Sequence, residues 1–210
     1  MPDGAATTVK PNRRGIRSRE LVLDAAERVM ARDGFEAATI ARVVDEAGVP
    51  LSSVYHYYGS KEGVLLAVMQ RGADRFFADL PERRERAGSP TEHLRAVIAD
   101  VVEALERHPD FLRLLIVFAV QPPTTGHGEV AAVVDQVRQE ALRGLRTQFA
   151  IAFREDKRSR AIDRLARFAL AAVDGAFVAA RSDPSVSLAA LLEPLPDALV
   201  VIRLVDRFTQ

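Results

Sequence analysis

The sequence predicts an all-α protein, and two observations support this fold class. Apolar residues recur at spacings of three and four through most of the 210 residues, whereas the period-2 alternation of strands is not sustained anywhere. Clusters of proline, glycine and small polar residues separate these periodic segments. The chain is 48% hydrophobic, which is enough to fill a core.

The first periodic segment predicts a helix over residues 19–33. Ser18 is suited to be its N-cap, and Gly34 is suited to end it in a left-handed conformation. The apolar residues of this segment fall on one helical face, which we expect to be buried: Val22, Ala25, Ala26, Val29 and Met30.

Two short helices are predicted next, over residues 40–47 and 50–57, with a tight turn at Gly48 between them. Thr39 can accept the free amide hydrogens of the first of these helices. Pro50 suits the first turn of the second, because the N–H that proline lacks would be unpaired there. The result is a three-helix unit with a glycine-containing turn.

A fourth helix begins after Ser60 as its cap and ends before Pro81, with Val64, Leu65, Val68 and Met69 as its inner face. Breaker-rich stretches then delimit the remaining helices, which we expect at about 91–107, 110–120, 129–153, 159–181 and 197–208. The sequence therefore predicts eight or nine helices in two unequal blocks.

The composition restricts where the protein works and what it binds. There is no cysteine, which excludes disulfides and fits a reducing cytoplasm. No apolar run reaches the roughly 18 residues of a membrane span, and the N-terminus lacks the apolar segment of a secretory signal. We expect a soluble cytoplasmic protein that does not enter a membrane.

Basic residues are concentrated near the N-terminus, although the 29 lysines and arginines equal the 29 acids in number. This basic run comprises Lys10, Arg13, Arg14, Arg17 and Arg19. It is either an arm that contacts DNA phosphates or a minor groove, or a solvated disordered tail. If it binds DNA, it should steepen the salt dependence of binding.

The stretch GVPLSSVYHYYGSKE at 48–62 contains all three tyrosines of the chain. Two helices joined by a short glycine-containing turn place the second helix in a B-DNA major groove. Val54 would hold this helix on its neighbours. Its N-terminal residues Leu51, Ser52 and Ser53 would then be free to meet base edges.

Several polar side chains follow these base-reading candidates. Tyr55, His56 and Lys61 are competent phosphate ligands. Tyr58, and also Tyr57, have an alternative structural role, which is to pack between the third and fourth helices.

Residues 17–76 resemble the TetR family of bacterial transcriptional regulators. The resemblance is carried by LDAAERVMARDGFEAATI, by AGV at 47–49 and above all by VYHYYGSKEGVLLAV at 54–68. It implies that Thr39 meets phosphate through its backbone, that Pro50 joins residues 51–53 at the base edges, and that Tyr55, His56 and Lys61 contact the DNA backbone. The sequence departs from the family at Ala41, Val44, Pro50 and Ser52, which affects sequence preference more than docking.

The resemblance also implies a domain organisation and a mechanism. Residues 1–16 would be a flexible basic arm, 17–77 a helix-turn-helix DNA-binding domain, and 78–210 a helical effector-binding and dimerisation domain. A small molecule entering the larger domain would tilt the fourth helix and release a palindromic operator. The implied protein is a ligand-responsive repressor that binds double-stranded DNA as a homodimer and uses no cofactor or metal.

The last long helix pair is the predicted dimer interface, because small residues near Gly175 allow a close helix contact. The interface candidates are Ile162, Leu165, Ala169, Ala172, Ala176, Leu199, Ile202 and Val205. The alternative is that these residues form an internal bundle within one chain, which spacing alone does not exclude.

The effector pocket is predicted from apolar helices that also carry isolated polar residues. The polar candidates are His93, Arg113, Gln121 and Asp174, and the aromatic candidates are Phe118, Phe149 and Phe177. Each has the alternative of a structural role, the aromatics as core and the polar residues as solvated or hydrogen-bonded groups.

An all-helical enzyme is the main rival hypothesis, and the sequence offers it little chemistry. There is no Glu-x-x-His pair, no HExxH zinc motif and no thiol nucleophile. GHGEVA at 126–131 matches a loose dinucleotide-binding pattern, but the preceding strand that such a site needs is missing. We therefore expect a regulator and not an enzyme. A purely structural helical scaffold would leave the 48–62 cluster without a purpose.

Overall fold

The computed structural model describes residues 13–81, 88–120 and 128–208, and all regular elements within these ranges are helices. The all-α prediction is confirmed. The helices are α1 (Arg13–Asp33), α2 (Ile40–Ala47), α3 (Leu51–Tyr58), α4 (Lys61–Asp79), α5 (Pro90–Arg107), α6 (Pro109–Val120), α7 (Gly128–Phe153), α8 (Arg160–Ser182), α9 (Leu188–Leu192) and α10 (Leu195–Phe208). Of the predicted residues, Lys10 and Gln121 lie outside the described ranges.

The chain divides into two compact units, Met1–Val68 and Met69–Gln210, so the boundary falls inside α4. This division reflects only how densely the residues of each unit pack against one another. The functional division into 1–16, 17–77 and 78–210 is a separate matter and stays a prediction.

The first unit is built on α1, which packs against α2 and α3. The predicted inner face of α1 is buried, with Val22, Ala25 and Val29 fully inaccessible to solvent. The predicted start of α1 was wrong: the helix begins at Arg13, so Ser18 lies inside it and is not its N-cap. Arginine is a good helix former, and the single glycine of this stretch does not stop the helix.

The turn between α2 and α3 depends on two residues with fixed backbone preferences. Gly48 ends α2 in the left-handed region at φ 64°, and its N–H bonds to the Val44 carbonyl at 2.9 Å. Pro50 has φ −62° and ψ 142°, so it is the N-cap of α3 and not its first helical residue as predicted. Its fixed φ still directs the chain into the helix.

The second unit is a helical bundle in which α7 packs on α8, and α10 packs on both α5 and α8. Its centre contains Phe111, Phe149, Ile162 and Leu165, none of which has appreciable solvent exposure. Helix α9, which was not predicted, packs against α5 and α8 through its buried residues. Ser187 caps this helix by accepting a hydrogen bond from the Ala190 N–H.

Helix α4 has the predicted cap and the predicted inner face. The Ser60 hydroxyl accepts a hydrogen bond from the Gly63 N–H at 3.1 Å. Val64, Leu65, Val68 and Met69 are all fully buried. Among the described residues, no helix is both long and apolar enough to cross a membrane.

Candidate nucleic-acid interface and ligand cavity

Helix α3 has one buried side chain and an otherwise accessible surface. Val54 is 1% exposed and anchors the helix, whereas Leu51 is 49% and Tyr55 is 51% exposed. Ser52 and His56 are also exposed, and Ser53 is half-buried. The N-terminal half of α3 therefore presents one apolar and two hydroxyl side chains outward, in the arrangement that a major-groove reading helix requires.

Thr39 lies at the N-terminus of α2, where its hydroxyl oxygen accepts a hydrogen bond from the Arg42 N–H at 3.3 Å. The residue is exposed, and the remaining free N–H groups of this first turn form a partial positive charge. Helix N-termini of this kind bind phosphate. The geometry permits the predicted backbone contact to DNA.

The two tyrosines at the end of α3 contact Arg19 of α1, and their predicted packing between α3 and α4 stays a prediction. The Tyr58 hydroxyl donates to the Arg19 carbonyl at 3.1 Å, and the Arg19 guanidinium lies 4.8 Å from the centre of the Tyr57 ring. Arg19 therefore fixes the C-terminal end of α3 through its backbone and its side chain together.

Lys61 is partly committed to its own unit. Its Nζ donates to the Glu36 carbonyl at 3.1 Å and lies 4.2 Å from the centre of the Phe35 ring. An ammonium group has three donors, so a phosphate contact is compatible with this arrangement. The predicted role of Lys61 on the DNA backbone stays a prediction.

The basic run is helical where the structure describes it. Arg17 and Arg19 lie on α1 and are exposed, so the disordered-tail interpretation is wrong for these residues. An exposed arginine on a rigid helix can contact a phosphate without the entropy loss of ordering a tail.

Ion pairs join α1 to α2 on the surface of the first unit. Arg28 Nε lies 2.8 Å from Glu46 Oε1, and Arg42 Nη1 lies 2.9 Å from Asp33 Oδ2. The hydrogen bond from Arg32, more than any other contact, lowers the pKa of Asp33, and the hydrogen bond from Arg28 lowers the pKa of Glu46. Exposed pairs of this kind contribute little stability.

The second unit contains a mostly apolar cavity of about 120 Å³. The C-terminal part of α4 supplies Phe76 and Phe77, and α5 to α8 supply the remaining helical walls. Its polar edge includes Gln148 and an ion pair in which Arg138 Nη2 lies 2.9 Å from Asp174 Oδ2. This combination of apolar walls and a few polar groups is typical of a small-molecule site.

Of the predicted pocket residues that the structure describes, Asp174 alone lines this cavity. Phe149 and Phe177 are core residues with 0% and 4% exposure, because they pack inside the bundle. Arg113 is exposed and Phe118 is half-buried, and neither contributes to the wall. These four residues therefore do not line this cavity, and their role in effector binding stays a prediction.

His93 lies outside this cavity but is linked to it. Its Nε2 is 3.0 Å from Oε1 of Gln148, which is a wall residue. Sequence reasoning missed Arg138, Gln148 and the Phe76–Phe77 pair. The adjacent phenylalanines at the end of α4 were the available signal, since two neighbouring residues cannot both face one helical core.

Most of the predicted dimer-interface residues are buried within one chain, and the interface itself stays a prediction. Ile162, Leu165, Ala169 and Leu199 have no exposed surface within one chain, and Ala176 is 8% exposed, so these five cannot meet a second copy. Ala172 and Ile202 are half-buried. The exposed apolar side chains of these helices are Phe168 and Val178 on α8, and Val201, Leu204, Val205 and Phe208 on α10.

The fold and the exposed reading helix define a class, the helix-turn-helix DNA-binding proteins. Residues 22–68 match the family described as bacterial regulatory proteins, tetR family. The chain is 28% identical over 194 residues to the HTH-type transcriptional regulator BetI of Brucella suis, which spans 92% of this chain and 89% of that relative. The chain is therefore similar to TetR-family transcriptional regulators, the family that the sequence resembles.

Solved transcriptional regulators share this fold. A tetR-family transcriptional regulator from Streptomyces coelicolor has a TM-score of 0.74 at 18% identity, covering 93% of this chain and 84% of that one. The regulator FadR from Bacillus subtilis, in complex with stearoyl-CoA, has a TM-score of 0.66 at 19% identity, covering 86% and 97%. These relatives and neighbours are transcriptional regulators and not enzymes.

Proposed function

We propose that this protein is a ligand-responsive repressor that acts in the cytoplasm, binds a palindromic operator as a homodimer and is released by a small apolar molecule. The main support for the proposal is the burial pattern of α3, in which Val54 is buried while Leu51, Ser52 and Tyr55 are exposed. Side chains of these types read base edges and bind phosphates.

DNA binding by one short helix yields little affinity, which favours a dimer. Two reading helices about 34 Å apart would contact successive major grooves and read a palindrome. The exposed apolar faces of α8 and α10 support a seam between two copies, because exposed apolar surface on this scale marks an interaction site. Each copy would contribute the same patch.

The cavity supports an apolar effector of modest size. An apolar cavity of about 150 Å³ binds benzene, so the cavity of about 120 Å³ fits a ligand near that size unless its walls move. The stearoyl-CoA of the Bacillus subtilis neighbour is far larger. We therefore favour a compact apolar molecule whose polar group meets Gln148 or the Arg138–Asp174 pair.

Helix α4 is the proposed link between effector and DNA. Its C-terminal part supplies Phe76 and Phe77 to the cavity wall, and its first turn directly follows α3 in the chain. The effector must bind the released state more tightly than the DNA-bound state. DNA must then weaken effector binding by the same factor.

Mobility shifts with DNA from around the gene of this protein test the DNA-binding part of the proposal. We expect a salt-sensitive complex, with Lys61→Ala weakening all sequences about equally and lowering the salt slope by about 1. Leu51→Ala and Ser53→Ala should change operator preference instead. If both leave the preference unchanged, our assignment of the base-reading residues is wrong.

The effector and dimer parts have matched tests. Ala141→Leu narrows the cavity from α7, so the variant should bind DNA but no longer respond to the effector.

Val201→Asp should yield monomers in sedimentation. Val117→Asp is the control, because Val117 is also an exposed valine but lies on α6. If the Val201→Asp variant still sediments as a dimer, the proposed seam on α8 and α10 is wrong.

A further inference from the structure

A second cavity of about 330 Å³ lies in the Met69–Gln210 unit and shares no described wall residue with the apolar cavity. It is bounded by the start of α5, the end of α7 and one face of α10. Among its described wall residues, Arg154 and Arg203 are cationic and none is acidic. Its chemistry therefore differs from that of the effector cavity.

Two buried polar groups without hydrogen-bond partners belong to the wall of this cavity. His93 is 3% exposed, and its Nδ1 has no partner although its Nε2 bonds to Gln148. The Arg203 side chain is 11% exposed, and its Nη1 has no partner. Buried polar atoms are almost always paired, because an unpaired one costs about 1–3 kcal/mol. Both atoms belong to residues that line one cavity, although neither atom reaches its surface, and together they call for an explanation.

Arg203 retains donors for a further anion. Its Nε and Nη2 both contact the same Glu155 oxygen, at 2.8 and 2.7 Å. A guanidinium has five N–H donors in a planar fork that suits carboxylate and phosphate. The Nη1 edge therefore remains available to a second oxyanion. Because neither Nη1 nor His93 Nδ1 reaches solvent, a ligand would meet them after a small rotation of each side chain.

Arg154 stands at the rim of the cavity in a conformation that usually requires glycine. Its φ is 53°, and it follows the last residue of α7. The Glu155 N–H bonds to the Ala150 carbonyl at 3.0 Å, and the Arg154 N–H to the Ile151 carbonyl at 3.4 Å, as in a Schellman motif. Arginine at this left-handed position is strained, and Arg154 is a third basic residue among those that line the cavity.

We propose that this cavity binds the carboxylate or phosphate group of a small metabolite. Arg203 supplies Nη1 donors to the anion, and Arg154 adds positive charge at the rim. His93 donates from Nδ1 when the Gln148 amide is turned so that Nε2 accepts. The proposal does not rest on the proposed DNA binding, and the site is linked to the apolar cavity through the contact between His93 and Gln148.

The test titrates the full-length protein with sodium phosphate and with sodium acetate, against sodium chloride at equal ionic strength. Thermal unfolding reports binding, and the ring signals of His93 in ¹H–¹⁵N spectra report the site. We expect phosphate or acetate, but not chloride, to raise Tm and shift the His93 signals. The two titrations distinguish a phosphate ligand from a carboxylate ligand.

Four variants make the test specific. Arg203→Gln should weaken the binding of whichever anion raises Tm by a factor of about ten or more. A charged hydrogen bond contributes about 1.5–3 kcal/mol, and about 1.4 kcal/mol corresponds to a factor of ten. Glu155→Gln frees the guanidinium and should strengthen binding. Arg154→Gly should raise Tm without anion yet weaken binding. Arg164→Gln is the control, because Arg164 pairs with Asp206 on the surface and does not line the cavity.

Two outcomes would overturn the proposal. One is a Tm response to phosphate and acetate no larger than the response to chloride, which would mean that an internal water is the partner of the buried atoms. The other is an anion response that survives Arg203→Gln, or that Glu155→Gln fails to strengthen. If Arg203→Gln does not fold, Glu155→Gln and Arg154→Gly decide the matter, because each is expected to move affinity in a stated direction.

Discussion

Gly72→Ala is predicted to destabilise the protein, although alanine is the better helix former. Gly72 lies within α4 and faces the fully buried ring of Phe111 on α6. A Cβ at this position would lie 2.3 Å from Phe111 Cδ2 and 2.7 Å from Cγ. Both distances are far below the roughly 3.5–4.0 Å of a carbon contact. Glycine is needed here for close approach of the two helices.

The magnitude follows from two opposing effects. Helix propensity favours alanine by about 1 kcal/mol, whereas overpacking of a filled core costs about 1–3 kcal/mol or more. The ring has little room to move, because Phe76 packs on it with ring centres 6.2 Å apart. We expect a net loss of about 1–2 kcal/mol, measured by urea unfolding followed by far-UV circular dichroism.

The decisive measurement is the same substitution in a Phe111→Ala background. Without the ring, the clashing atoms are gone, so Gly72→Ala should now stabilise by up to about 1 kcal/mol. The sign reversal is a coupling energy of roughly 2–3 kcal/mol between two contacting residues. If Gly72→Ala is neutral or stabilising in the parent protein, the close approach of α4 and α6 is wrong.

Three further variants test single contacts. Thr39→Ala should cost about 1 kcal/mol and weaken operator binding, whereas Thr39→Ser should keep the cap of α2; urea unfolding and mobility shifts check both. Tyr58→Phe removes the donor to the Arg19 carbonyl and should cost about 1 kcal/mol in the same unfolding assay. The hydrogen bond from His108 is the main cause of the lowered pKa of Asp79. Ionised Asp79 therefore stabilises the folded protein at pH values above the unfolded pKa of about 3.8, and this stabilisation is lost as the pH falls through the folded pKa. Unfolding at a series of pH values should therefore show Asp79→Asn less stable than the parent in mild acid and equal to it in strong acid.

The first unit was predictable because its signals are local. Thr39 and Gly48 fix the ends of α2 through contacts within one turn, and the bounds of this helix agree with the prediction. The alternation of buried and exposed residues on α1 and α3 follows from the helical period alone. The start of α1 was missed because Ser18 is a good cap, and nothing nearby in sequence reveals that the preceding arginines are helical as well.

The cavity was harder to predict because it depends on which helices meet. Phe149 and Asp174 lie on adjacent helices, but the first is sealed in the core and the second reaches the wall. Helical periodicity assigns a residue to a face, and it does not say whether that face meets another side chain or a gap. The His93–Gln148 bond, between α5 and α7, is similarly invisible without the fold.

The choice between the two apolar faces of α8 shows the same limit of sequence-based prediction. Helix α8 is apolar on two sides, and periodicity gives no order of preference between them. The protomer core takes the side with Ile162 and Leu165, and the other side exposes Phe168 and Val178. The most regular apolar stripe of α8 is buried in the core of one protomer, so periodicity alone is a poor guide to an interface.

Because the two faces are separate, folding and association should be separable in this protein. Covering a half-exposed apolar side chain yields on the order of 1 kcal/mol. The proposed seam has six such side chains on α8 and α10 of each copy, so a dimer gains on the order of 10 kcal/mol. Association itself costs roughly 4–15 kcal/mol. The difference between this gain and this cost is small, so the half-buried Ala172 and Ile202 must contribute to the seam as well. One charge at Val201 is then enough to separate the copies. The buried face with Ile162 keeps each protomer folded.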